Sequence, residues 1–361
     1  MMTANNHHNL FRGRVALYAI LRNLNITKGD YVAIQAFTCI AVPEAILQLG
    51  AKPVYIDIEE DGYNMCPVDL KQKLIPRCKA VVVQHTFGIP AKIKDIKSIC
   101  HRSNLYLIED CCHSFHSTVN TQLVGTFGTA SFHSYEWGKP LALGIGGSYN
   151  FNKESNFDSF KYKKPPFHII LKIEIQYLIF KYFYSPKLYW VLKNLFNLFS
   201  KVGLVTGNFN NIKPSTNSPE FSWLMSPQVE KRLVHYKKSL KEISKHSVYL
   251  LNQYMKLLEN TNVTLPILNS GNNNVLCRLP LRVKDKKNLL NSAKKYNVEL
   301  ANWYKTPVHP ITDDNYNLIH YIQYSCPNAE QRCKEVISLP LHSSVTYKDV
   351  LKISNFLRSY S

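Results

Sequence analysis

Four short apolar runs within the first 110 residues, separated by stretches of helical spacing, leave few folds open to this chain. Tyr31–Gln35 and Pro53–Ile58 read as strands, and Ala80–Gln84 and Leu105–Glu109 as buried strands. Around them, Ala16–Leu24, Val42–Leu49, Pro67–Leu74 and Lys92–Cys100 carry the spacing of helices, with Asp30, Gly50 and Gly62 at the joins. Strands that alternate with helices build a mostly parallel sheet covered by helices. Open sheets of this kind collect ligand groups in the loops at the carboxyl ends of their strands.

The rhythm breaks at Phe167. Phe167–Tyr184 is densely apolar and aromatic, yet carries Lys172, Glu174, Gln176 and Lys181. Pro186 opens a second stretch in which Lys187, Lys193, Asn194, Asn197 and Lys201 fall on one helical arc. Leu188, Val191, Leu192, Leu195, Phe196, Leu198 and Phe199 cover the other. A basic amphipathic helix of this profile suits a membrane surface. A helical hairpin packed on its own protein, or at a dimer contact, gives the same stripe. Residues 203–219 are polar and Asn-rich and read as a loop. Pro227–Leu257 then reads as a long helix, Val275–Val283 as a strand, and Lys286–Tyr296 and Tyr347–Arg358 as helices. A chain of 361 residues is long for one core. The expected division is a large domain over 1–245, containing the basic insertion at 167–201 and the loop at 203–219, and a smaller α+β domain over 246–361.

The formal net charge is +19, and residues 161–250 hold 15 Lys or Arg against 4 Glu, a local excess of +11. Such a field attracts polyanions: nucleic acid, anionic lipid or a diphosphate-linked substrate. No nucleic-acid reading motif accompanies the charge, so nucleic acid is not an expected partner. No apolar run reaches the roughly 18 residues of a membrane-crossing helix. Met1–Arg14 lacks the apolar centre of a secretory signal. A cytoplasmic protein is expected, peripheral at the inner membrane face if residues 167–201 touch lipid. The nine cysteines include no C-x-x-C pair and none near a histidine at zinc-ligand spacing, so reduced thiols are expected and no metal site.

The residues with chemistry lie between Leu105 and Gly147. Strand Leu105–Ile108 ends in Glu109 and Asp110, followed by Cys111, Cys112 and His113. A carboxylate at the mouth of a buried strand has lost much of its water and requires a cationic or hydrogen-bonding partner. A protonated pyridine nitrogen is one such partner; a helix to cap is another. A second strand, Ala130–Tyr135, leads through Glu136, Trp137 and Gly138 to Lys139 and Pro140, then to Gly144, Gly146 and Gly147. Burial beside Trp137 and Pro140 should lower the pKa of Lys139 toward the free amine that Schiff-base chemistry needs. The glycines allow tight backbone turns beside a bulky ligand.

These segments resemble the DegT/StrS-type sugar aminotransferases, pyridoxal-phosphate (PLP) enzymes of fold type I. The resemblance runs through Gly13–Leu17, Ala36–Ala41, Gly50–Asp57, Gln84–Gly88, Glu109–His113, Gly125–Gly128, Ser134–Lys139 and Ser338–His342, in family order. It implies an α/β fold, the PLP-dependent transferase fold type I, with a mixed, mostly parallel sheet and a smaller C-terminal α+β domain. It also implies that Lys139 carries PLP as a Schiff base and later moves the substrate proton. Asp110 would pair with the pyridinium nitrogen and His113 would contact the ring face or its phenolic oxygen. Ser134 would bind the phosphate with the backbone amides at Arg14 and Val15, beside Gly13 at a helix start; the Arg14 side chain would add charge there. The implied reaction moves an amino group from glutamate to a nucleotide-linked keto sugar, for surface polysaccharide or lipopolysaccharide, in a homodimer. Two departures point elsewhere. Cys39 stands where an aromatic residue commonly stacks on the cofactor, and Ser222–Ser226 replaces a segment that reaches the neighbouring subunit. They leave open a catalytically eroded member acting at a membrane surface or on a partner. A PLP-fold sugar dehydratase is a further alternative, although the dehydratases of the family carry histidine in place of the lysine.

Overall fold

The computed structural model describes residues 7–153, 160–201, 205 and 218–360. Of the stretch 203–219, only Val205, Ser218 and Pro219 are among them; the rest lies outside the described residues. The main sheet has seven strands, β1 (His7–Leu10), β2 (Tyr31–Gln35), β3 (Lys52–Ile56), β4 (Cys78–Gln84), β5 (Tyr106–Asp110), β6 (Ala130–Ser134) and β7 (Gly147–Phe151), in the order β1-β7-β6-β5-β4-β2-β3. The five strands from β2 to β6 run parallel. Helices α1 (Gly13–Asn23), α2 (Ala41–Leu47), α3 (Pro67–Lys73) and α4 (Ile93–Arg102) complete the α/β unit.

The sequence places the four early strands within a few residues of where they form. It does not reveal β1 and β7, the antiparallel pair at one edge. The glycines from Gly144 to Gly147 turn the chain back along β6 rather than ending in open loop. Gly147 lies so close to the Arg12 carbonyl that a Cβ would come within 2.4 Å of its oxygen.

Alternation along each parallel strand supplies both faces of the sheet. Val32, Ile34, Ala80, Val82 and Ile108 point into one apolar core; Ala33, Val81, Val83 and Leu107 point into the other. The same alternation separates the two carboxylates that end β5. Glu109 follows Leu107 and Asp110 follows Ile108, so they leave the strand on opposite faces.

Glu109 is fully buried and accepts hydrogen bonds from the N–H groups of Gly125 (2.7 Å), Phe127 (2.7 Å) and Gly128 (2.8 Å). His85 Nε2 lies 3.2 Å away on the same carboxylate. Glu109 therefore holds the turn that feeds β6, and with it the register of everything up to Ser134.

Helix α7 (Pro227–Leu258) carries the chain from the first core, at Val229 and Leu233, to another formed by Leu250, Leu251, Tyr254 and Leu258. That core also receives a two-stranded antiparallel sheet, β8 (Arg278–Arg282) and β9 (Val336–Pro340), with α8 (Lys286–Lys295) and α10 (Tyr347–Ser359). The strand read as Val275–Val283 is shorter because Cys277 donates its N–H to the Phe87 carbonyl instead of to a partner strand (2.9 Å). Residues Tyr304 to Val336, including α9 (Pro327–Glu335), return to the first core. The insertion forms two helices, α5 (Phe167–Phe183) and α6 (Tyr189–Lys201).

Glu109→Ala strands three buried N–H groups and should cost about 3–5 kcal/mol. The denaturant midpoint of folding measures this. A loss below about 1 kcal/mol would contradict the anchoring role.

Candidate active site

Three chain segments converge at the carboxyl ends of β5 and β6. Asp110 closes β5, Ser134 closes β6, and α1 begins at Gly13 beneath Ser134. A Cβ on Gly13 would come within 2.9 Å of the Ser134 Cβ. Glycine is therefore required where the helix start meets the serine. No side chain caps α1 and its first turn carries no acidic residue. A helix N-terminus of this kind, with a hydroxyl beside it, is a place for an anion such as phosphate.

Asp110 is buried, and its Oδ1 accepts the Cys112 N–H at 2.9 Å. Burial raises its pKa, against the opposing pull of that N–H and of the Lys139 charge. Part of the Lys139 side chain meets solvent, but the amine lies among Cys112, Cys39, Asp110 and Cys277. Desolvation opposes its charge, yet those neighbours outweigh it and hold the pKa above the ordinary lysine value. The lowered pKa expected from burial is thus corrected. Burial also pushes the thiols of Cys112 and Cys39 upward, so they stay protonated near neutral pH. Against desolvation, Cys112 first, then Cys39 and the Asp110 carboxylate, support the Lys139 charge. A buried carboxylate such as Asp110 would suit the protonated ring nitrogen of a pyridine-bearing ligand.

His113 is buried, and its Nδ1 accepts the Phe87 N–H at 3.1 Å. Burial, followed by the Lys139 charge, lowers its pKa well below the usual value. The imidazole is therefore neutral, with its proton on Nε2 as a donor.

The Arg14 side chain does not serve as the extra cation foreseen for this cradle. Its guanidinium is ion-paired with Glu44, and Glu220 lies 3.7 Å away. A buried guanidinium requires carboxylates, and these two take up its charge. The backbone of Gly13, Arg14 and Val15 remains at the helix start.

Trp303 and Tyr304 were not singled out in the sequence, and no motif marks them. They reach the site because Thr38–Cys39 pairs in parallel with Val308–His309. The Trp303 ring stacks on His113 at 5.7 Å and 8°, and Lys139 Nζ lies 5.7 Å from its centroid. The Tyr304 ring packs edge-on against Phe37 at 5.1 Å. Aromatic cover that Cys39 cannot give is supplied from the C-terminal part of the chain.

A profile of the DegT/DnrJ/EryC1/StrS aminotransferase family matches residues 10–161 and 233–358. The GDP-perosamine synthase of Vibrio cholerae is 36% identical over 146 residues, which is 40% of this chain and 40% of that protein. The matched stretch thus spans two fifths of that relative's length. Spore coat polysaccharide biosynthesis protein SpsC of Bacillus subtilis is 24% identical over 344 residues, 93% of this chain and 80% of that protein. Among solved structures, a Streptococcus pneumoniae protein assigned as a sugar aminotransferase, in its PLP form, shares the fold. Its TM-score is 0.76, with 18% identity over 98% of this chain and 86% of that one.

Gly138 has φ +79°, and a Cβ there would come within 2.6 Å of Trp303. Gly138→Ala should therefore cost about 1–2 kcal/mol of backbone strain and displace the indole. A shifted tryptophan emission in a folded variant is the expected readout; an unchanged spectrum and midpoint would contradict it. His309, like His113, is buried neutral, its pKa brought down to about 3 by burial and then by Lys305 and Lys286. Their contribution to stability is complete above the unfolded pKa near 6.5 and is lost as the pH falls toward the folded-state values. Each should remove about 1.4 kcal/mol per pH unit in that window. Urea melts between pH 7 and 5 test this, and a flat profile would refute it.

Proposed function

Because this chain belongs to the DegT/DnrJ/EryC1/StrS aminotransferase family, we propose that it transfers an amino group from glutamate to a nucleotide-linked keto sugar. The product would serve surface polysaccharide or lipopolysaccharide synthesis. The observation that carries this reading is the meeting of Gly13 with Ser134 at the start of α1, beside the buried Asp110 and within electrostatic reach of Lys139. An amine, a buried carboxylate and an anion site are the three contacts that PLP requires, and the residues present fit it.

In this reading Lys139 anchors the cofactor covalently, Asp110 holds its ring nitrogen protonated, and Ser134 with the first turn of α1 holds its phosphate. His113 Nε2–H donates toward the ring substituents, and Trp303 covers the site. PLP supplies the electron sink that makes the substrate C–H acidic. Lys139 Nζ, once released, would take that proton from the substrate carbon and deliver it to the cofactor carbon on the other side of the linking nitrogen. The basic surface steers a diphosphate-linked substrate toward the protein.

Polysaccharide biosynthesis proteins and nucleotide-sugar aminotransferases among the relatives support the substrate class. The domain division at 245–246, a homodimer, and a cytoplasmic protein in peripheral contact with the inner membrane face complete the proposal.

The test is release of 2-oxoglutarate from glutamate in the presence of nucleoside-diphosphate 3- or 4-keto sugars. Wild type should turn over with one of them and Lys139→Ala should fall by several orders of magnitude. No 2-oxoglutarate with any such sugar, or full activity in Lys139→Ala, would contradict the reading.

A further inference from the structure

Helix α5 is mostly apolar on two opposite arcs, interrupted by His168, Lys172, Glu174, Gln176 and Lys181. At 3.6 residues per turn, Ile173, Gln176, Tyr177 and Phe180 share the arc turned to the protein, and the first three are buried. The opposite arc, about 160° wide, holds Phe167, Leu171, Ile175, Leu178, Ile179, Tyr182 and Phe183. All of these are exposed, from 45% for Ile179 to 77% for Phe167. Core packing explains the first arc and leaves the second without a reason to be apolar.

Helix α6 carries exposed apolar residues as well. Lys193 turns inward, its amine 4.5 Å from the Trp190 ring and 5.2 Å from Tyr189. Burial lowers its pKa to about 8. Meanwhile Val191, Leu195, Leu198 and Phe199 stay exposed. Leu192 is buried and Phe196 packs on Phe180, so the exposed apolar residues are in excess of what packing on the protein needs.

Charge decides what covers this face. Lys161, Lys163, Lys164, Lys181 and Lys187 are exposed around it. A groove between α5 and α7 is lined by Lys181, Lys231 and His235, with Arg232 there paired to Glu174 at 2.6 Å. A second copy seated here would set one basic surface against another, in chains of net charge +19. A bilayer with anionic headgroups offers the complementary charge and an apolar interior. Among the described residues no helix is long and apolar enough to cross a membrane.

We propose that the exposed arcs of α5 and α6 seat the protein on a bilayer surface containing anionic lipid, with the surrounding lysines on the headgroup phosphates. The seat adjoins the chemistry. On the inner arc, Phe180 stacks on Trp137 at 4.5 Å and Tyr177 at 6.0 Å, two residues before Lys139. Tyr177, Phe180 and Lys181 share with Lys139 the lining of a cavity of about 230 Å³. The wall of that cavity is thus the back of the lipid-facing helix. This gives the peripheral contact proposed above its element and its lipid class, and it rests on that reading only for calling the cavity catalytic.

The experiment is flotation of the full chain with vesicles of phosphatidylcholine alone or mixed with phosphatidylglycerol, with PLP uptake measured on the same preparation. Wild type should partition at least about tenfold more strongly to the anionic vesicles, and less as salt rises. Ile175→Glu with Leu178→Glu, two exposed positions, should melt like wild type yet lose about tenfold or more of that binding. Wild type that stays unbound with the anionic vesicles overturns the proposal. So does a dimer in light scattering that the double variant returns to monomer without any vesicle binding. Protein that takes up PLP but does not float removes the membrane seat alone. Protein that floats but never takes up PLP supports the seat and removes the enzymatic reading.

Discussion

The period of two along β5 is the constraint on which the site depends. It sends Glu109 and Asp110, neighbours in sequence, to opposite faces of a sheet buried on both sides. One carboxylate becomes scaffold, held by three N–H groups and facing His85. The other, one residue later, faces the Lys139 amine. A one-residue slip of the strand would exchange these surroundings and leave the cradle without its anion. The anchored turn Gly125–Gly128 in turn sets where β6 ends, and so where Ser134 meets the start of α1.

From that constraint the electrostatics follow. Desolvation alone would take the proton from Lys139, but Cys112, Cys39 and Asp110 together hold its pKa above the ordinary lysine value. His113, uncharged and fixed by the Phe87 N–H, adds direction without adding charge. Trp303 closes the arrangement from a distant part of the chain, where Cys39 alone would leave the site thinly covered.

Much of this was legible in the sequence because it is local. The buried strands show as apolar runs, and Asp110, Ser134 and Lys139 sit at strand ends where ligand groups collect. The parts that were not legible depend on distant pairings. β1 and β7 form only by pairing with each other and with β6, and neither carries a strong pattern of its own. Trp303 reaches Lys139 through the pairing of Thr38–Cys39 with Val308–His309, which no spacing announces. Arg14 looked free to add charge to the cradle, and Glu44 and Glu220 claim it only in three dimensions. The pKa of Lys139 differs from the sequence expectation for the same reason: burial is readable from the sequence, and the groups gathered around the amine are not.

The most direct test of the central claim, that Lys139 and Asp110 form one cofactor-holding pair, is borohydride reduction of the protein incubated with PLP, followed by peptide mapping. The pair predicts a pyridoxyl group on the peptide containing Lys139, with labelling strongly reduced in Asp110→Ala although that variant remains folded. Label spread over surface lysines, or equal labelling of Lys139 with and without Asp110, would contradict it.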